Sequence, residues 1–239
     1  MTEFTPKPRK RRGRIAFISL AALVVALTTA FFVYTQDYYH ADEAATALLA
    51  TNPAIETEQD LTILTPDAAN DSGVGLIFYP GGKVQETAYL PLLEQLRQNG
   101  LTCVLVKMPF RLAVFNIDAA NDVYARFPAI SRWYLAGHSL GGAMASSYVE
   151  KNSNRLNGLI LLGAYPINDA ALPTLAIYGS EDVKLDRTKL ETVADKLEIT
   201  GGNHAYFGNY GEQEGDGTAN ISREDQQAQA VEAILAFIQ

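Results

Sequence analysis

Ser139 lies in the run Trp133 to Met144, WYLAGHSLGGAM, between an apolar stretch and a series of small, helix-compatible residues. Gly137-His138-Ser139-Leu140-Gly141 is a G-x-S-x-G pattern, which at the junction of a strand and a helix makes a nucleophile elbow. Glycines at 137 and 141 answer a steric need, because a side chain in so sharp a turn would strike neighbouring backbone. The turn lifts a hydroxyl clear of a sheet, and the helix N-terminus behind it offers free N–H groups to a negative oxygen. The chemistry that fits is attack by an alcohol on a carbonyl carbon. A serine hydroxyl is a weak nucleophile at neutral pH and needs a base to take its proton. The chain has three histidines. His40 lies close to a long apolar segment, and the His138 side chain should point away from the nucleophile it adjoins. His204, in Gly201-Gly202-Asn203-His204, is the remaining candidate.

The elements that must position these residues read as alternating strands and helices, which predicts a mostly parallel sheet with helices on both faces. Strands are predicted at Leu61–Leu64, Val74–Tyr79, Leu101–Lys107, Trp133–Ala136, Gly158–Gly163, Thr174–Tyr178 and Glu198–Thr200. Helices are predicted at Ala88–Asn99, Ile117–Phe127, Leu140–Lys151 and Arg187–Leu197, with a last one opened by the capping box Ser222 to Asp225. Residues 36–59 read as a helical stalk that breaks at Asn52-Pro53 and runs into a polar connector. The globular domain is then expected over 60–239, and 239 residues at 48% hydrophobic suffice for one such domain.

The formal charge of −8 hides two unlike regions. The tip, residues 1–14, carries six basic side chains against Glu3, which leaves 13 basic and 26 acidic residues and a charge of −13 beyond it. So acidic a body excludes a nucleic-acid partner, since phosphate binding needs the opposite sign. Ile15 to Tyr34, IAFISLAALVVALTTAFFVY, has no charged residue, and a helix of that length matches the hydrocarbon core of a bilayer. Residues 15–35 therefore read as a single-pass transmembrane anchor. The basic tip should stay in the cytoplasm and the rest of the chain face the extracytoplasmic side. The alternative is a cleaved signal peptide and a secreted product, for which Thr28-Thr29-Ala30 is a poor cleavage site. Cys103, the single cysteine, lies in the apolar run LTCVLV and reads as a buried small hydrophobe, with no intrachain disulfide possible.

Taken in order, strand, glycine-rich turn, strand, elbow, strand, acid turn, strand and histidine resemble the α/β-hydrolase fold. The nearest likeness is to small lidless serine hydrolases of the dienelactone-hydrolase-like type, over roughly residues 60–239. The resemblance implies a Ser-His-Asp triad and places its histidine at His204. It places the acid in Tyr178-Gly179-Ser180-Glu181-Asp182, where G-x-x-D spacing selects Asp182, with Glu181 as runner-up and Asp186 further along. The oxyanion of such chemistry needs two preorganised N–H donors. One is expected from Leu140, and the other from the Pro80-Gly81-Gly82 turn, where relatives often read His-Gly-x. Proline donates nothing, so Gly82 is the candidate and Lys83 its alternative.

Phe110, Phe115, Tyr206, Phe207 and Tyr210 fall on loops expected at the carboxyl ends of the strands, and are candidate pocket walls. The glycine-rich loop Tyr206–Ile221 could fold over the site. It is a poor calcium loop, since the ligand order is absent, and no metal or organic cofactor is called for. Ten residues, Ala164 to Pro173, leave no room for a cap. The function expected is hydrolysis of carboxylic esters or related acyl compounds, small-molecule substrates, through an acyl-enzyme. Peptide, thioester or lactone cleavage on the same residues, or ligand binding without catalysis, stay open as alternatives. Nothing in the sequence sets the oligomeric state.

Overall fold

The computed structural model describes residues 9–169 and 171–239, with side chains from residue 13 onward. Residues 1–8 of the expected basic tip, and the side chains of Arg9 to Arg12, lie outside the described residues. The chain divides into two units, Met1–Tyr38 and Tyr39–Gln239. The first is built on one helix, α1 (Arg9–Gln36). Over Gly13–Gln36 it is long and apolar enough to cross a membrane, a test that a signal sequence passes equally.

The second unit holds an eight-stranded sheet. Its strands are β1 (Ile55–Glu58), β2 (Leu61–Leu64), β3 (Val74–Tyr79), β4 (Leu101–Val106), β5 (Arg132–His138), β6 (Gly158–Leu162), β7 (Thr174–Gly179) and β8 (Asp195–Ile199). The order across the sheet is β1-β2-β4-β3-β5-β6-β7-β8. The strands from β3 to β8 pair in parallel, while β2 runs antiparallel to both β1 and β4. Successive residues of a strand serve opposite faces. Leu76 and Phe78 of β3 pack with helices α3 (Leu90–Gln98) and α6 (Arg223–Phe237), whereas Ile77 and Tyr79 pack with α5 (Leu140–Asn152). With both faces covered, both phases of each central strand must be apolar. This explains the unbroken runs VGLIFY and LTCVLV. Cys103 is one of these buried residues, and burial pushes its thiol pKa up, so it is no nucleophile here.

Three expectations need correction. Residues 39–59 are no free stalk. A short helix, α2 (Glu43–Thr51), is capped by Asp42 and buries Ala45, and β1 then extends the sheet. Tyr39 bonds backbone to backbone with Lys83 and Gln85, at 2.8 Å each, and the Asp42 N–H donates to the Asn209 carbonyl. The helix expected over Ile117–Phe127 is a 3-10 turn followed by a single helical turn, α4 (Asn121–Tyr124). Its cause is the Tyr79 hydroxyl, which donates to the Ile117 carbonyl and accepts from the Ala120 N–H, each at 2.8 Å. The helix expected over Arg187–Leu197 shrinks to one 3-10 turn, because Asp195 to Leu197 pair with β7 as part of β8.

On α3, Arg97 grips Glu94 through Nε (2.7 Å) and Nη2 (2.9 Å), and its Nη1 reaches the Thr65 carbonyl. Burial raises the Glu94 carboxyl pKa, but hydrogen bonds from Arg97 and Gln98 outweigh it and leave the group below the ordinary carboxylate range. A depressed folded-state pKa adds stability above the unfolded value, and that stability is lost as pH falls through the folded one. Glu94→Gln is expected to lower stability by about 1–3 kcal/mol at neutral pH by removing the charge partner and one of the two hydrogen bonds of a buried guanidinium. In acid the difference from wild type should close, which denaturant unfolding at a series of pH values measures.

Candidate active site

At the carboxyl edge of the sheet β5 passes into α5 through Ser139, whose backbone sits at φ 52°, ψ −121°. An L-residue there is strained by about 1–3 kcal/mol and stays only where its surroundings dictate it. The surroundings do so: the Ser139 N–H donates to the Leu162 carbonyl, and its own carbonyl accepts from Ala143, both at 3.0 Å. A Cβ on Gly137 would come within 2.6 Å of the Gly141 and Gly142 backbone, and one on Gly141 would strike the carbonyls of Tyr79 and Pro80.

His204 stands in the loop after β8, which Gln226 of α6 clamps by exchanging hydrogen bonds with the Asn203 backbone at 2.9 and 2.8 Å. His204 Nδ1 lies 2.8 Å from Asp182 Oδ2, with both side chains buried. Asp182 Oδ1 accepts the N–H groups of Lys184 and Leu185. A carboxylate only accepts, so Nδ1 carries the hydrogen and Nε2 keeps its lone pair for an incoming proton. The other acids point elsewhere: Glu181 accepts from the Ser180 hydroxyl, and exposed Asp186 caps the turn at Thr188. Ser139 and His204 border one cavity of about 290 Å³, floored and walled by Leu140, Ala143, Ala164, Tyr165 and Leu185. Among the described residues no hydrogen bond joins the serine to the imidazole. Contacts of this kind often tighten only when substrate binds. A larger hollow of about 560 Å³, by Gln59, Asp60 and Arg126, pairs no nucleophile with a base.

Of the two amides expected to hold an oxyanion, Leu140 opens α5, and Gly82 lies against it, since a Cβ on Gly82 would come within 2.8 Å of Leu140 Cδ2. The Lys83 N–H is committed to the Arg111 carbonyl at 2.9 Å. The aromatic walls need correction. Phe207 and Tyr210 are buried in the core, and Tyr206 is stacked under Arg223. Phe110 and Phe115 are exposed, edge to face at 5.6 Å, and none of the five borders the cavity. The loop after His204 likewise packs into the body, its Asn209 bonded to Ala88, Asp42 and Gln227.

Sequence reasoning missed Gly163, Tyr89 and Gln226, and set His138 aside. Gly163 has φ +51°, and a Cβ there would sit 2.9 Å from His204 Nδ1 and 3.2 Å from Asp182 Oδ2. Gly163→Ala is expected to wedge the imidazole away from its carboxylate and lower kcat about 10- to 100-fold with KM little changed. Steady-state kinetics beside a melting curve measure this. His138 is buried, with Nδ1 2.8 Å from the Tyr89 hydroxyl and Nε2 3.0 Å from the His204 carbonyl. Burial, aided by the His204 ring, holds its pKa well below the ordinary imidazole range against the pull of that carbonyl, so the ring is neutral.

Comparison with known proteins places the chain by its middle. The profile of the alpha/beta hydrolase family matches residues 75–228. No curated protein matches the chain. Among solved structures, XC6422 from Xanthomonas campestris, an a/b serine hydrolase without lid, is 15% identical, with a TM-score of 0.54 over 75% of this chain and 89% of its own. A dienelactone hydrolase from Anabaena variabilis shares 15% identity at TM-score 0.54, over 75% and 92%. A monoacylglycerol lipase from Paleococcus ferrophilus shares 13% at TM-score 0.57, over 76% and 100%. At such identities the likeness speaks for the fold, whose lidless form agrees with the short link from β6 to β7. The family match spans well over half the sequence and takes in the elbow, Asp182 and His204: the chain belongs to the alpha/beta hydrolase family.

Proposed function

We propose that this protein is a membrane-anchored serine hydrolase that cleaves carboxylic esters through an acyl-enzyme. Ser139 Oγ attacks the carbonyl carbon while His204 Nε2 takes its proton. The carbonyl π electrons move to oxygen, and the N–H groups of Leu140 and Gly82 hold the oxyanion. As the tetrahedral intermediate collapses, the C–O bond to the alcohol breaks and the imidazolium returns its proton to the leaving oxygen. Water then repeats the sequence on the acyl-serine and releases the acid. Asp182 fixes the imidazole tautomer and stabilises its charged form throughout. The observation that carries this reading is the buried 2.8 Å contact of His204 with Asp182 on the same cavity as the strained Ser139.

The membrane part of the reading rests on the uncharged run Ile15 to Tyr34, longer than a signal peptide's apolar region and with a poor cleavage site at Thr28-Thr29-Ala30, and on the cationic residues N-terminal to that run, which put the enzyme on the extracytoplasmic side. The test for both parts uses the full chain in detergent, treated with a fluorophosphonate probe and mapped by mass spectrometry. A single modification at Ser139 on a chain that still carries residues 15–35 is expected. An unlabelled folded protein overturns the hydrolase, and a mature N-terminus anywhere after residue 15, including one at Phe31 after Thr28-Thr29-Ala30, overturns the anchor.

A further inference from the structure

One chain of hydrogen bonds runs beneath the site. The Gly81 N–H donates to the Tyr89 hydroxyl at 3.0 Å, and that hydroxyl meets His138 Nδ1 at 2.8 Å. His138 Nε2 meets the His204 carbonyl at 3.0 Å. The directions follow from the carbonyl acceptor at one end and from the neutrality of the buried ring. A carbonyl only accepts, so Nε2 carries the hydrogen; the neutral ring then offers a lone pair at Nδ1, and Tyr89 donates to it. Tyr89 is left to accept from Gly81. Every polar atom of these two buried side chains is used, and none faces the cavity.

What these bonds join is the point. Gly81 precedes Gly82, one expected oxyanion donor. His138 precedes Ser139. The His204 carbonyl belongs to the base itself. These three loops leave different strands, β3, β5 and β8, and no other side chains in the described residues bond all three. We propose that Tyr89 and His138 are positioning residues, a neutral clamp that holds oxyanion turn, nucleophile and base in register. The clamp rests on the hydrolase reading, since register matters only if those three groups act on one substrate. Close packing agrees: a Cβ on Gly81 would sit 2.7 Å from the Tyr89 oxygen and 2.8 Å from His138 Nδ1. The His138 ring also meets, at a tilt, those of His204 (4.6 Å), Phe207 (5.8 Å) and Tyr210 (6.4 Å).

The test compares the full-length wild type in detergent with Tyr89→Phe, His138→Leu and His138→Gln, using a p-nitrophenyl ester. Tyr89→Phe keeps the ring and strands the Gly81 N–H. The expected result is a fall in kcat of about 10- to 100-fold with KM within about threefold, the scale of a displacement near 1 Å. His138→Leu should fall as far, and His138→Gln, which can still donate to the His204 carbonyl, should recover part of the loss. Folded variants with kcat within about twofold of wild type, whether or not Tm drops, overturn the clamp. Should the variants fail to fold, nitrogen NMR of wild type decides. A neutral His138 with its proton on Nε2 supports the clamp, and a proton on Nδ1 overturns it. Wild type that neither turns over ester nor takes the phosphonate probe fails the hydrolase reading, an outcome separate from an active wild type with unaffected variants.

Discussion

Ser139→Ala is expected to remove ester hydrolysis by about four to six orders of magnitude while the protein stays folded. The alanine keeps the Cβ and both backbone hydrogen bonds that hold the turn, to Leu162 and from Ala143, so the elbow geometry survives. What disappears is the atom that forms the acyl bond. The amides of Leu140 and Gly82 remain, and they account for the residual rate over uncatalysed hydrolysis. Loss of phosphonate labelling, with a melting temperature near wild type, is the matched observation. A variant that still hydrolyses ester at more than about a hundredth of the wild-type rate would mean that another nucleophile does the work.

Asp182→Asn should cost about three to four orders of magnitude in kcat, through the tautomer of His204 rather than through its position. In wild type one carboxylate oxygen serves the Lys184 and Leu185 amides, and the other faces His204 Nδ1. The asparagine oxygen must stay on the two turn amides, or both lose their acceptor. Its NH₂ then faces Nδ1, which can accept but no longer donate. The ring is driven to the form with its hydrogen on Nε2, so the nitrogen facing the serine has no lone pair to give. Glu181→Gln is the control, because Glu181 bonds Ser180 and lies off this path; its kcat should stay within about threefold. A large effect at 181 and none at 182 would move the acid to the neighbouring residue.

The elbow was legible because its constraint is steric and local. Two glycines around a serine, between an apolar strand and small residues, say which backbone must pass close to which. The pairing of Asp182 with His204 was legible through their order along the chain and the shortage of histidines. The edge of the sheet was not. β1 reads Ile-Glu-Thr-Glu, with one buried residue, and joins the sheet through backbone pairing that leaves no apolar pattern. At the other edge, Leu190, Val193 and Leu197 sit at helical spacing, yet a turn followed by a strand buries Leu190 and Val193 against Ala176 and Leu185. Tyr89 and His138 were hidden for another reason. The bonds of His138 cross 49 and 66 residues, and no local window of sequence contains both ends.

The segment from Tyr39 to Asp42 binds the Lys83–Gln85 backbone next to the Pro80–Gly82 turn, and Asp42 also meets Asn209 and Arg223 beyond His204. That sets a limit on trimming. A cut upstream of Tyr39 leaves these ties whole, whereas a cut among residues 43–59 unfastens the backbone at Lys83–Gln85 and at Asn209, which flank the candidate site. The compact unit starts at Tyr39 rather than at 60.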